Sequence, residues 1–169
     1  MDLALLILRV VFGLAVAAHG SQKLFGWFGG GGIKGTSGFI GMMGFRPVRF
    51  WAVMSGLGEF GGGALLALGL VNPIGPLAVI AAMLTAIVSA HWEKGFWASK
   101  GGYELPLAFL TGAATVALAG PGRYALDTAL SISLPPTVQA LLAVIAIAGA
   151  VVGLASRRPA AATQQRTTA

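Results

Sequence analysis

The chain has 169 residues, of which 56% are hydrophobic and only 9% charged, with a net charge of +6 and a mean hydropathy of +0.83. A soluble domain carries about 25% charged residues, so a soluble globular fold is excluded and a membrane protein is indicated. The absence of cysteine excludes disulfides, thiol catalysis and iron–sulfur clusters within the chain.

Five apolar runs follow in order: Leu3–Leu24, Phe50–Val71, Ile74–His91, Tyr103–Ala119 and Thr137–Ala155. About 20 helical residues cross ~30 Å of hydrocarbon, so each run is of spanning length. The first run is a retained span rather than a signal peptide. It has no basic n-region, Arg9 interrupts it, and it exceeds an h-region of about 7–15 residues.

After it, Gly29, Gly32, Gly35, Gly38, Gly41 and Gly44 recur every third residue among Ile33, Phe39, Ile40, Met42, Met43 and Phe45. A collagen tract would need abundant proline and greater length. The segment is expected to be a glycine-rich interfacial loop over 25–49, a membrane-surface connector in preference to a flexible lid. Proline pairs mark breaks between runs, Pro73 and Pro76 after the second and Pro135–Pro136 before the fifth. Small residues four apart predict close helix packing: Gly58 and Gly62, then Ala78, Ala82, Ala86 and Ala90, then Gly149 and Gly153.

Lys23, Lys34, Arg46, Arg49, Lys94, Lys100, Arg157, Arg158 and Arg166 fall on one side of a five-span arrangement, and Arg123 alone on the other. The positive-inside bias then places the amino terminus outside and the carboxyl terminus in the cytoplasm. Removing the fifth span would strand the basic tail outside. The expected fold is an all-α membrane protein, a four-helix transmembrane bundle over 1–127 plus a fifth span at 137–155 after a connector from 128. A basic, disordered cytoplasmic tail over 156–169 completes it. The basic charge serves topology and anionic-lipid contact. Nucleic-acid binding is not expected, since no basic helix or aromatic platform accompanies it.

Two motif matches fail on context. Gly56-Leu57-Gly58-Glu59-Phe60-Gly61 fits a dinucleotide fingerprint but lies inside a membrane-length run with no preceding strand, and Gly30–Thr36 has the wrong residue order for a phosphate loop.

The ionisable residues are few and gather toward one face. His19, Gln22 and Lys23 share a helix face at the end of the first run. Glu59 lies about 13 Å into the second. His91 and Glu93 close the third, and Glu104 opens the fourth. If those runs span, all of these lie on one side of the membrane. An ionised carboxylate at depth costs about 2.5–3.5 kcal/mol, so Glu59 needs a partner or a wet cavity. Lys23 and His19 from one direction, Arg9 from the other, and Ser55 one turn before are candidate partners. Glu59, His19, Lys23, His91 and Glu104 are therefore the candidate reactive groups, suited to proton exchange. The bland alternative is a buried ion pair that fixes helix register. Gln22, Trp51, Ser55 and Trp92 are candidate ligand contacts, although Trp27, Trp51, Trp92 and Trp97 also read as an interfacial aromatic belt. Haem ligation through His19 and His91 is the weaker reading of the two histidines, against proton relay or headgroup hydrogen bonding. No metal site is expected.

The segments His19–Phe28, Phe50–Val53 leading to Glu59–Gly62, His91–Trp97 with Gly101–Glu104, and Ala119–Asp127 resemble, in order, those of the DoxX family of small bacterial membrane proteins. The resemblance implies a four-helix membrane core in the bacterial cytoplasmic membrane and an association with respiratory or oxidative-stress redox chemistry. It maps the family's polar positions onto His19, Lys23, Glu59, His91 and Glu104. The run Thr137–Ala155 departs from the family core. A quinone- or quinol-interacting subunit of a redox complex is the leading expectation, with quinone as possible cofactor and redox-enzyme subunits or further copies of the chain as partners. A proton-coupled small-molecule or lipid permease, and a scaffold for a soluble oxidoreductase, are the alternatives. Nothing in the chain holds an electron, so whether it is itself an enzyme stays open.

Overall fold

The computed structural model describes residues 1–158; residues 159–169 of the expected tail, with Arg166, lie outside them. Seven α-helices follow in order: α1 (Asp2–Phe25), α2 (Gly32–Met42), α3 (Val48–Leu68), α4 (Ile74–Ala86), α5 (Glu104–Ala119), α6 (Leu126–Ala129) and α7 (Pro136–Ala155). Helices α1, α3, α7 and the stretch Ile74–Lys94 that begins with α4 are each long and apolar enough to cross a membrane, and α5 is a shorter apolar helix of 16 residues.

One core joins α1, α3, α4 and α5. Val16, Leu66, Val79, Met83, Phe109, Ala113 and Val116 form it, with Phe12 edge-on to Phe109 at 5.8 Å between ring centroids. This is the four-helix bundle expected from the sequence. Helix α7 lies outside it, burying only Ala150 and Gly153 and leaving Val144, Ile145, Ile147, Val151 and Val152 exposed, as a lipid-facing span should.

The carboxyl end of α7 is tied to the connection between α2 and α3. The Arg158 amide donates to the Gly44 carbonyl at 2.8 Å, and Arg157 Nε donates to the Met43 carbonyl at 3.1 Å. Gly44 is required there: its φ is +87°, and a Cβ would sit 2.5 Å from the Arg158 carbonyl oxygen. Trp51 packs against Gly153, so the fifth span reaches the same end of the bundle as the start of α3. That end, the basic end, also holds Lys23, Lys34, Arg46, Lys94 and Lys100.

The segment expected as a loop over 25–49 is largely helical. A short 3-10 turn at Trp27–Gly29 leads into α2. A three-residue glycine repeat is not a helical period, yet α2 forms because Thr36 and Ile40 bury against the bundle and the Thr36 hydroxyl donates to the Lys23 carbonyl at 3.0 Å. Gly35 and Gly38 face open space, so the repeat is not there to let α2 pack closely.

Candidate functional site: a buried ion pair and a lipid-facing groove

Helices α1 and α3 approach backbone to backbone. A Cβ on Gly63 would lie 2.5 Å from the Ala17 amide nitrogen, and one on Gly20 would lie 2.2 Å from the Phe60 amide nitrogen. This proximity lets a side chain of α1 reach well into α3. Lys23 Nζ meets Glu59 Oε1 at 2.5 Å and Ser55 Oγ at 3.0 Å, in the only salt bridge among the described residues. Ser55 and Glu59 are four residues apart on one helix, so they share a face and the ammonium bridges them.

The pair is lopsided. The Glu59 side chain is 4% exposed and that of Lys23 is 30% exposed. Glu59 Oε2 is buried with no hydrogen-bond partner. A carboxylate in hydrocarbon is normally saturated by donors, so the spare oxygen is the chemically open position in the cluster.

The other expected site residues lie elsewhere at the basic end. His19 shares the α1 face of Lys23 but sets its ring edge-on to Phe109 of α5, 5.9 Å between centroids. The Gln22 amide donates to the Phe28 carbonyl at 3.2 Å. The end of α4 widens into a π-helical turn over Ile87–His91, a local geometry frequent at functional sites. His91 Nδ1 pairs with the Gly101 carbonyl at 2.6 Å, and Glu104 Oε2 accepts the Ala98 amide at 2.9 Å. Both organise the connection from α4 to α5, where Trp92 stacks on Tyr103 at 5.5 Å. Trp51 donates from its indole nitrogen to the Arg46 carbonyl at 3.1 Å and holds α7. Ser55 and Lys23 are the two expected residues brought to Glu59; His19, His91 and Glu104 do not hydrogen-bond to it.

Arg9 does not partner Glu59 either. Fourteen residues before Lys23, it lies about 21 Å away along the helix. It is buried at the opposite end, where Nη1 donates to the Ala67 carbonyl at 2.7 Å and Nη2 to the Tyr124 carbonyl. A cation on a carbonyl of the last turn of α3 is a favourable helix cap. Beside it Asp127 accepts the amides of Val71 and Asn72, both at 2.7 Å, and fixes the turn into α4. These contacts are structural, and neither was legible as a site.

Sequence reasoning also missed a groove between α1 and α5. Leu8 and Phe12 form one wall, Leu107, Ala108, Thr111 and Thr115 the other, and Phe96 with Glu104 closes the basic end. The cavity is about 450 Å³ and mostly apolar. From Glu104 to Thr115 it runs about 16 Å along the helix axis. The signal was present in the sequence: Ala108, Thr111, Gly112 and Thr115 place small or hydroxylated residues on one face of an apolar helix.

The DoxX family model matches residues 4–92, just over half of the chain. The segments Gly101–Glu104 and Ala119–Asp127, which carried part of the resemblance, lie beyond that stretch. No curated protein and no solved structure matches. The matched stretch contains α1, α3 and α4, including Lys23, Ser55 and Glu59. With its apolar helices and the family match together, the chain is a multi-pass membrane protein and belongs to the DoxX family.

Proposed function

We propose that the chain is a quinone- or quinol-interacting membrane subunit of a redox complex in the bacterial cytoplasmic membrane. The observation that carries this reading is the groove between α1 and α5. Its volume falls within the roughly 300–1,000 Å³ usual for small-molecule sites. Its walls are apolar, it opens outward between α1 and α5, and Glu104 is the one ionisable residue in its lining. A flat ring with an isoprenoid tail matches that shape and polarity.

A quinone bound there would supply two-electron, two-proton chemistry. The chain's own residues would bind and orient it. Phe12 and Phe96 would flank the ring, and the free oxygen of Glu104 would accept a hydrogen bond from a hydroxyl or exchange a proton with it. The Thr111 and Thr115 hydroxyls donate to the carbonyls of Leu107 and Thr111, both at 2.9 Å, which leaves their oxygens as acceptors. Electrons would come from a partner subunit or a bound cofactor. The chain has no cysteine, and no group of three His, Asp or Glu side chains among the described residues could hold a metal.

The test is co-purification from mild detergent, with bound quinone quantified in the extracted lipid. Ala108→Trp fills the groove and is expected to reduce retained quinone by about fivefold or more, a loss of roughly 1 kcal/mol of binding. Val144→Trp, on the exposed face of α7, should leave it unchanged. Equal retention in both variants would remove the groove as the binding place.

The expected orientation, with the basic end in the cytoplasm, belongs to the same proposal. In a chain without cysteine, Ser99→Cys introduces a unique thiol beside Lys94 and Lys100. An impermeant maleimide should label it in inverted vesicles and not in intact cells; the reverse pattern inverts the topology.

A further inference from the structure

We propose that the Glu59 carboxylate is a proton-binding site whose resident counter-cation is the displaceable ammonium of Lys23. The inference is independent of what the groove holds, since it concerns the α1–α3 face and not the α1–α5 face.

Three observations carry it. The Glu59 side chain is 4% exposed, yet Oε2 has no donor. The neighbouring elements supply no second cation: α4 brings Ala78 and Ala82 to this face of α3, α2 sends Thr36 to the Lys23 carbonyl, and the His19 ring is turned to Phe109. Lys34 and Arg49 are exposed at the basic end. Finally, Lys23 is the partly exposed member of the pair, so it is the side chain that can swing outward from Glu59.

The ligand is a proton rather than a metal ion or an organic cation. Hard cations need about six oxygen ligands, and this cluster offers those of Glu59 and Ser55. Close glycine packing leaves little room for a larger guest: a Cβ on Gly20 would lie 2.2 Å from the Phe60 amide nitrogen, and one on Gly63 2.5 Å from the Ala17 amide nitrogen. Proton and ammonium therefore compete for one carboxylate. When a proton adds to Glu59 the carboxyl becomes neutral, and the Lys23 ammonium, still charged, moves outward on its flexible stem toward water and headgroups. On deprotonation it returns.

The full-length protein in lipid vesicles, treated with the hydrophobic reagent dicyclohexylcarbodiimide, tests this directly. The reagent adds to protonated carboxyl groups in apolar surroundings, and the adduct is located by peptide mass spectrometry. Labelling of Glu59 should increase as the pH is lowered. Lys23→Met should label at least about tenfold faster than wild type at neutral pH, and Lys23→Arg should resemble wild type. Glu59→Gln should show no adduct at that position. Absent or pH-independent labelling of wild-type Glu59 overturns the proposal, and so does equal labelling in wild type and Lys23→Met. If Lys23→Met does not accumulate, the wild-type pH series decides the question, with Ser55→Ala, expected about twofold faster, as the second variant.

Discussion

Replacing Lys23 by methionine is expected to destabilise the folded protein by about 3–5 kcal/mol at neutral pH, several times the cost of replacing Glu59 by glutamine. The two residues form one ion pair, but they are not equivalent. Lys23→Met leaves a carboxylate sealed between α1 and α3 with only the Ser55 hydroxyl nearby. Glu59→Gln leaves the ammonium of a side chain that is 30% exposed and can extend to headgroups, at a cost of about 1 kcal/mol. The double variant should recover most of the loss, because no buried charge remains. Acidification should narrow the gap between Lys23→Met and wild type, since a protonated carboxyl needs no counter-ion. Thermal unfolding of the four proteins in one detergent measures all of this. Equal and additive losses for the single variants would mean that the pair is not coupled in the way the geometry implies.

Gly63→Ala should be comparably damaging despite adding a single methyl group. The added Cβ would meet the Ala17 amide nitrogen at 2.5 Å and the Gly13 carbonyl oxygen at 2.6 Å, and neither is the end of a flexible side chain. Backbone cannot step aside as a rotamer can, so α1 and α3 must separate. Overpacking of this kind costs about 1–3 kcal/mol and more when backbone resists. Separation would also lengthen the Lys23–Glu59 contact and weaken the ion pair. Gly61→Ala, two residues away with nothing within 4 Å of its added Cβ, should change stability by less than about 0.5 kcal/mol. The same unfolding experiment compares them; equal stability would show that the close approach is not required.

Most of the architecture was readable because membrane spanning imposes a length, and length survives in sequence. The ends of α1, α5 and α7 fall within one or two residues of the apolar runs. The second run extends past the end of α3, where Gly69 at φ +62° stops the helix although Leu70 and Val71 continue the apolar pattern. Helix α2 was hidden for a different reason. Its helical state depends on burying Thr36 and Ile40 against residues far away in the chain, not on local preference, and glycine argues against a helix wherever packing does not decide.

At the candidate site the pairing of Lys23 with Glu59 was legible, because a deep carboxylate demands a cation and two helices ending on one side can deliver one. Its exclusiveness was not. His19 shares the face of Lys23, yet helix rotation turns its ring to Phe109. His91 and Glu104 reach the same end but bond to the connection between α4 and α5 and not to Glu59. Arg9 looked like a partner for an acid and instead caps α3 through the Ala67 carbonyl. The small and hydroxylated face of α5 signalled the groove, but its width depends on how far α5 stands from α1, which that face does not set.

The brevity of α5 has a consequence for the lipid around it. Sixteen residues make a rod of about 24 Å, some 6 Å less than the hydrocarbon thickness that its longer neighbours match. Acyl chains meeting that side of the protein must compress or tilt to cover it, which draws the two polar leaflet surfaces closer together there than elsewhere on the perimeter. The groove wall is built on this rod, so a molecule diffusing within the bilayer would find its shortest route between hydrocarbon and headgroup beside Glu104.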